Sequence, residues 1–201
     1  MIRLDRRVYS RISWAGIALL AVALIVVLFL GRYRGALILG LFLVASIGFV
    51  ALEDRLPRLF DLLFVAAALL NAAGWVWNLF DRVPGYDEVV HAFSIFAITL
   101  SFSFLVFYSV RLQFHGHGPL YILAVTSFGI AVGALWEVIE WLFGVISSLD
   151  NTITDLVMDS LGAVVAGLAA AWALGRERAG QLYEREPRPG WQAAEASPRE
   201  R

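Results

Sequence analysis

Ile12–Leu30 reads ISWAGIALLAVALIVVLFL and contains no charged residue. At 1.5 Å of rise per residue, a helix of that length crosses a hydrocarbon core about 30 Å thick. Arg3, Arg6, Arg7 and Arg11 precede it with Asp5, and GRYRG at 31–35 follows before the chain re-enters apolar sequence. A secretory signal has a shorter apolar core of about 7–15 residues and then a small-residue cleavage site, so this stretch is expected to stay as a first span. Further outward, apolar runs at 35–52, 59–80, 89–110, 120–144 and 153–174 have comparable length. The expected fold class is all-α, a polytopic membrane protein built as a bundle of about six transmembrane helices. A basic cytoplasmic N-terminus (1–11), one transmembrane domain (12–174) and a disordered cytoplasmic tail (175–201) complete the expected organisation.

Composition agrees. The chain is 60% hydrophobic and 16% charged, with a mean hydropathy of +0.73, whereas soluble domains are about 45–50% apolar. There is no cysteine, which excludes disulfides, thiolate metal sites and a cysteine nucleophile. With the N-terminus inside, Arg3, Arg6, Arg7, Arg11, Arg55, Arg58, Arg111 and the arginines from Arg176 onward are cytoplasmic, against Arg32, Arg34 and Arg82 outside. That asymmetry is the positive-inside pattern, with the two arginines of the 31–34 turn as its exception. Both termini are therefore expected in the cytoplasm of a bacterium, with the chain in the inner membrane. Trp14 and Trp172 would lie near the inner interface and Trp75, Trp77, Trp136 and Trp141 near the outer one, as an aromatic belt.

The apolar pattern is broken by YDEVVH at 86–91, WEVIEW at 136–141 and DNTITDLVMDSLG at 150–162. An ionisable residue inside a span is a functional-site hypothesis by default. Alternation of six spans places the end of the third, the start of the fourth, the end of the fifth and the start of the sixth on one side, so these stretches should meet. Asp87 and His91 are four apart, Glu137 and Glu140 three, and Asp155 and Asp159 four, so each pair shares a helix face. Ser94 continues the His91 face. On the third span Asn71, Trp75, Asn78 and Arg82 form a polar stripe, and Gly162 and Ala166 extend the carboxylate face of the sixth with small residues that admit a neighbouring helix.

About five carboxylates and one imidazole around one cavity need protons or a cation to balance their charge, with Arg82 offering one positive group. His91, Asp87, Glu137, Glu140, Asp155 and Asp159 make an oxygen-rich ligand set with one imidazole, suited to zinc, manganese or magnesium. Glu137 and Glu140 are the candidate catalytic carboxylates; Asn71, Asn78, Arg82 and Ser94 are supporting. Simpler readings exist for several of these. Asp87 after Pro84-Gly85 resembles an N-cap, Asn151 or Thr152 with Asp155 resembles a capping box, and Asn71 and Asn78 suit interhelical hydrogen bonds. Glu88 and Asp150 read as solvated charges, and His91 alone as an interior histidine. Glu137, Glu140 and Asp159 lie too far inside their spans for capping. His115 and His117 fall on the opposite side, in a turn.

YDEVVHAFSIF, GALWEVIEWLFG and DNTITDLVMDSLGA, in that order, resemble the YjdF-like family of bacterial inner-membrane proteins, a resemblance that covers about residues 60–170. The family has no assigned biochemistry, so the resemblance implies a shared site and no activity. More distantly, the sequence is similar to VanZ-like proteins, linked to glycopeptide tolerance, whose DKxxH, ExxQ and DxxxNxxG motifs would fall on Asp87–His91, Glu137–Glu140 and Asp155–Gly162. Here Glu88, Glu140 and Asp159 replace Lys, Gln and Asn, which makes the site more acidic. Three functions remain open: a metal site that binds or acts on an envelope lipid or polyprenyl-linked molecule, a proton- or cation-coupled transporter, and a structural polar knot. The chain has no GxSxG, HExxH or GxGD motif, and no basic face for nucleic acid. Membrane lipids are the expected surroundings.

Overall fold

The computed structural model describes residues 6–52, 58–106, 117–146 and 148–185. Among them are seven helices and no strand: α1 (Arg6–Phe29), α2 (Tyr33–Leu52), α3 (Arg58–Trp77), α4 (Leu79–Arg82), α5 (Tyr86–Val106), α6 (Gly118–Phe143) and α7 (Leu149–Arg185). Six are long and apolar enough to cross a membrane, and α4 is a single turn. The bundle of membrane-spanning helices expected from the apolar runs is therefore present, with boundaries moved by a few residues. The third span ends at Trp77 rather than residue 80, because Asn78 takes the left-handed conformation (φ 57°) and stops the helix. The expected disordered tail begins as helix, since α7 continues to Arg185, with the Arg176 guanidinium 4.3 Å from the centre of the Trp172 ring. Arg55, Arg111, His115 and the chain beyond 185 lie outside the described residues.

Helix α5 packs against α3, α6 and α7, while α3 also packs against α1 and α2. In the α1–α2–α3 half, contact is made by large side chains: Leu20, Val27, Ile38 and Leu39 are fully buried, and Phe49 stacks on Phe64 at 5.0 Å. In the α5–α6–α7 half a cluster of Tyr121, Val125 and Leu174 is joined by a seam of small residues, Ala97, Gly129, Gly133, Gly162, Ala163, Ala166 and Ala170, all buried. A Cβ on Gly162 would overlap the carbonyl oxygen of Ala92, so α5 and α7 meet backbone to backbone. Without lipid-excluded hydrophobic gain between helices, close approach of small residues is what holds such an interface. Outward-facing positions are large and apolar, among them Leu19, Val22, Val44, Leu135 and Val157, as a lipid-facing surface requires.

Trp14, Trp77, Trp141 and Trp172, four of the residues expected in the aromatic belt, are exposed. Trp75 and Trp136 are only partly exposed. Trp75 packs edge-on to Phe80 and over Gly35, and Trp136 packs on Phe42 at 5.3 Å across the α2–α6 gap. Both rings pack against an aromatic partner inside the bundle, and the Trp136 N–H also serves Glu140.

Candidate membrane-embedded acid–histidine site

The five carboxylates singled out from three separated motifs gather around the imidazole of His91. His91, in the second turn of α5, places Nδ1 3.1 Å from Asp159 Oδ1 and 3.8 Å from Glu137 Oε1. Its Nε2 lies 3.7 Å from Asp87 Oδ1, one turn earlier on the same helix. Asp87, His91 and Asp155 can each aim one ligand atom within 4.8 Å of the others, and so can His91, Glu137 and Glu140. His91, Glu137, Asp155 and Asp159 are 5% exposed or less. Local sequence explains the convergence: the i,i+4 and i,i+3 pairs each occupy one face, and small residues let those faces close on one another. Gly133 is critical here, because a Cβ on it would stand 2.6 Å from Asp159 Oδ2.

Neutral donors hold some of these oxygens. The Trp136 indole N–H donates to Glu140 Oε1 at 2.9 Å. Asn151 Nδ2 donates to Asp87 Oδ2 at 3.3 Å and also to Asp155 Oδ2, and so ties α5 to α7. Asn71 Nδ2 donates to Ser94 Oγ at 3.3 Å, linking α3 to α5 below the imidazole. Other oxygens are left over: both of Glu137, Asp155 Oδ1 and Asp159 Oδ2 are buried and accept no hydrogen bond. The Thr152 side chain approaches Glu137 but does not close a hydrogen bond of ordinary geometry. A buried polar oxygen without a partner is costly, and a charged one more so.

Two of the supporting assignments are corrected. Arg82 is exposed on α4 and, among the described residues, pairs with none of the cluster carboxylates, so it does not neutralise them. Asn78 is not interhelical glue on a continuous stripe; it donates to Asp81 Oδ2 at 2.8 Å, inside its own turn, though it still lines one cavity with Asp87 and His91. The capping box at Asn151–Asp155 is likewise replaced: Ser148 Oγ accepts the Asn151 backbone N–H at 3.1 Å as the cap of α7, which frees the Asn151 amide for the two aspartates. Glu88 is partly exposed and Asp150 exposed, as expected, and His117 is exposed at the opposite end of α6. The sequence reading missed Asn151 and Trp136 as polar partners, although each lies one turn before the carboxylate it serves. It also missed Asp61, which is 1% exposed in the first turn of α3, away from the cluster.

The two arginines that broke the charge asymmetry have structural partners. Arg32 donates through Nη1 to the carbonyls of Trp75 and Val76, the last turn of α3. Arg34 brings its guanidinium to Gly144, the left-handed C-cap of α6, where it would lie 3.5 Å from an added Cβ. Cations at helix C-termini complement the dipole and the unpaired carbonyls. Neither guanidinium reaches the carboxylates, so the acid cluster has no arginine partner among the described residues.

Two cavities meet at the imidazole. A polar one of about 210 Å³ is lined by Asp87, Glu140, Asn151, Thr152 and Asp155 among others. An apolar one of about 290 Å³ runs between α2 and α6 over the surface of α5. His91 and Asn71 line both.

Residues 12–176 match the family whose description reads "Predicted membrane protein (DUF2238)", so the chain belongs to that family. An uncharacterized protein of Thermotoga maritima is 24% identical over 118 residues, 55% of this chain and 60% of the relative. The match thus spans less than two thirds of that relative's length. No solved structure matches the chain.

Proposed function

We propose that this member of the DUF2238 family carries a divalent-cation centre at the acid–histidine cluster and uses it to bind or act on the head of an envelope lipid or polyprenyl-linked molecule. The observation that supports the reading is the set of buried, unpartnered oxygens on Glu137, Asp155 and Asp159, gathered on one imidazole with no arginine among them. Burial of several carboxylates is tolerated only with a compensating positive charge or proton.

The chain's own residues divide naturally. With the proton on Nδ1, His91 donates to Asp159 and presents its Nε2 lone pair toward Asp87. A carboxylate behind a ligating histidine in this way sets the tautomer and raises ligand basicity. Asp87, His91 and Asp155 would then hold the ion, with Asn151 fixing the two aspartates. Zinc, manganese or magnesium would supply Lewis acidity toward a phosphoryl or carbonyl oxygen and a more acidic bound water. Glu137, which accepts no hydrogen bond, is the candidate general base, and Glu140, held by Trp136, a further ligand or a positioning group. The arginine asymmetry supports an outward-facing site in a bacterial inner membrane with both termini cytoplasmic, now that Arg32 and Arg34 are explained as helix-end partners.

The test is the metal content of protein purified in detergent. Wild type should carry close to one divalent ion per chain, and His91→Gln and Asp155→Asn variants that remain folded should carry none. Absence of metal from wild type, with full function after both substitutions, overturns the reading. One observation favours a proton or cation relay instead: the buried hydroxyls of Thr99 and Thr126 have no partner and lie beyond the cluster on α5 and α6. Proton or cation flux in proteoliposomes, lost in Asp159→Asn and Thr99→Val, would favour that alternative.

A further inference from the structure

We propose that the cavity between α2 and α6 binds the single apolar chain of a membrane amphiphile, with its phosphate head stopped at His91 and Asn71. Polarity along the cavity carries the idea. Its walls are Phe42 and Ala45 on α2 and Val132 and Ile139 on α6, over a floor of Ile95 and Ile98 on α5. Its polar lining comes from Asn71, His91, Ser94 and Asp159, all of which gather at the imidazole. From there the polar cavity continues outward past Asp87, Asn151 and Asp155.

A void of about 290 Å³ lies at the small end of ligand-binding cavities, which run from about 300 to 1,000 Å³. It accommodates one chain rather than the paired chains of a bulk phospholipid. An apolar slot that ends in polar groups orients an amphiphile in only one sense: the chain stays in the slot, and the head meets the cluster. Helices α2 and α6 touch through Phe42 and Trp136, and each exposes large apolar residues, Leu37 and Val44 on α2 and Leu135 and Val138 on α6, so the slot lies between two spans that both have a lipid-facing surface. The chain site stands on the cavity alone. The phosphate head rests on the metal reading, because a cluster of carboxylates attracts an oxyanion only through a bound cation.

The probe is dodecyl phosphate carrying a diazirine at the chain terminus, added to the full-length protein in phosphatidylcholine vesicles and photolysed, with adducts located by peptide mass spectrometry. Adducts should concentrate at residues 41–45 and 132–139, and fall at least tenfold with excess unlabelled dodecyl phosphate. They should fall similarly in Ala45→Phe and Val132→Phe, whose metal content stays at the wild-type level. Saturability in wild type keeps the test valid if the filled variants fold poorly. Unsaturable labelling spread over the lipid-facing residues Leu19, Val22 and Ile25 overturns the proposal. Saturable labelling at the cavity in protein that binds no metal leaves the chain site standing and overturns the cation centre instead.

Discussion

The two halves of the bundle are built on different physics. Helices α1, α2 and α3 meet mainly through large side chains, with Leu20, Ile38 and Leu39 interlocked, whereas α5, α6 and α7 add to the cluster of Tyr121, Val125 and Leu174 a close approach at Gly133, Gly162 and Ala166 and an acidic knot one turn away. An apolar packed half gains from every contact. In the other half, close backbone approach creates a place where buried carboxylates are tolerated although their oxygens lack partners. The contrast teaches where cost is concentrated: among the described residues, the buried carboxylate oxygens without a partner, each destabilising, lie in the second half.

The largest expected effect is in the first half. Leu39→Ala removes a fully buried side chain and should destabilise the protein by about 2–5 kcal/mol, measured by reversible unfolding in mixed micelles, with metal content unchanged. The opposite sign is expected across the molecule. Glu137→Leu replaces a buried carboxylate that accepts no hydrogen bond and should raise stability by about 1–3 kcal/mol, the desolvation penalty it relieves; a large loss of stability, as expected if its charge pairs with His91 3.8 Å away, would support the structural-knot reading. Gly133→Ala should leave the fold in place but push Asp159 away from His91, which under the proposed cation centre weakens metal binding by about 10–100-fold in a competition titration. Trp136→Phe removes the hydrogen bond to Glu140 and keeps the ring on Phe42, so it should cost only about 0.5–1.5 kcal/mol and still retain metal.

Spans were legible because hydrocarbon imposes a minimum apolar length, and the three pairs Asp87–His91, Glu137–Glu140 and Asp155–Asp159 were legible because helical spacing assigns them to faces. Arg82 and Asn78 were misread for a common reason: each was placed by extending a periodic pattern through a break. Asn78 is where the break occurs. Its left-handed backbone ends α3 and turns Arg82 onto a separate exposed helix. Likewise, periodicity gave Trp75 and Trp136 a depth in the membrane but not a side of the helix.

By itself, the sequence determined that the chain crosses a membrane, about how many times, and that its ionisable residues collect at one end, since length, alternation and spacing depend only on local covalent geometry. Only the tertiary structure decided which oxygens are partnered, that Asn151 bridges two aspartates, that Arg32 and Arg34 serve helix ends rather than the cluster, and that an apolar cavity opens onto His91. These depend on the rotation of each helix about its axis and on contacts between residues far apart in the chain. Both are set by the sum of many packing interactions across the bundle, which no single stretch of sequence contains.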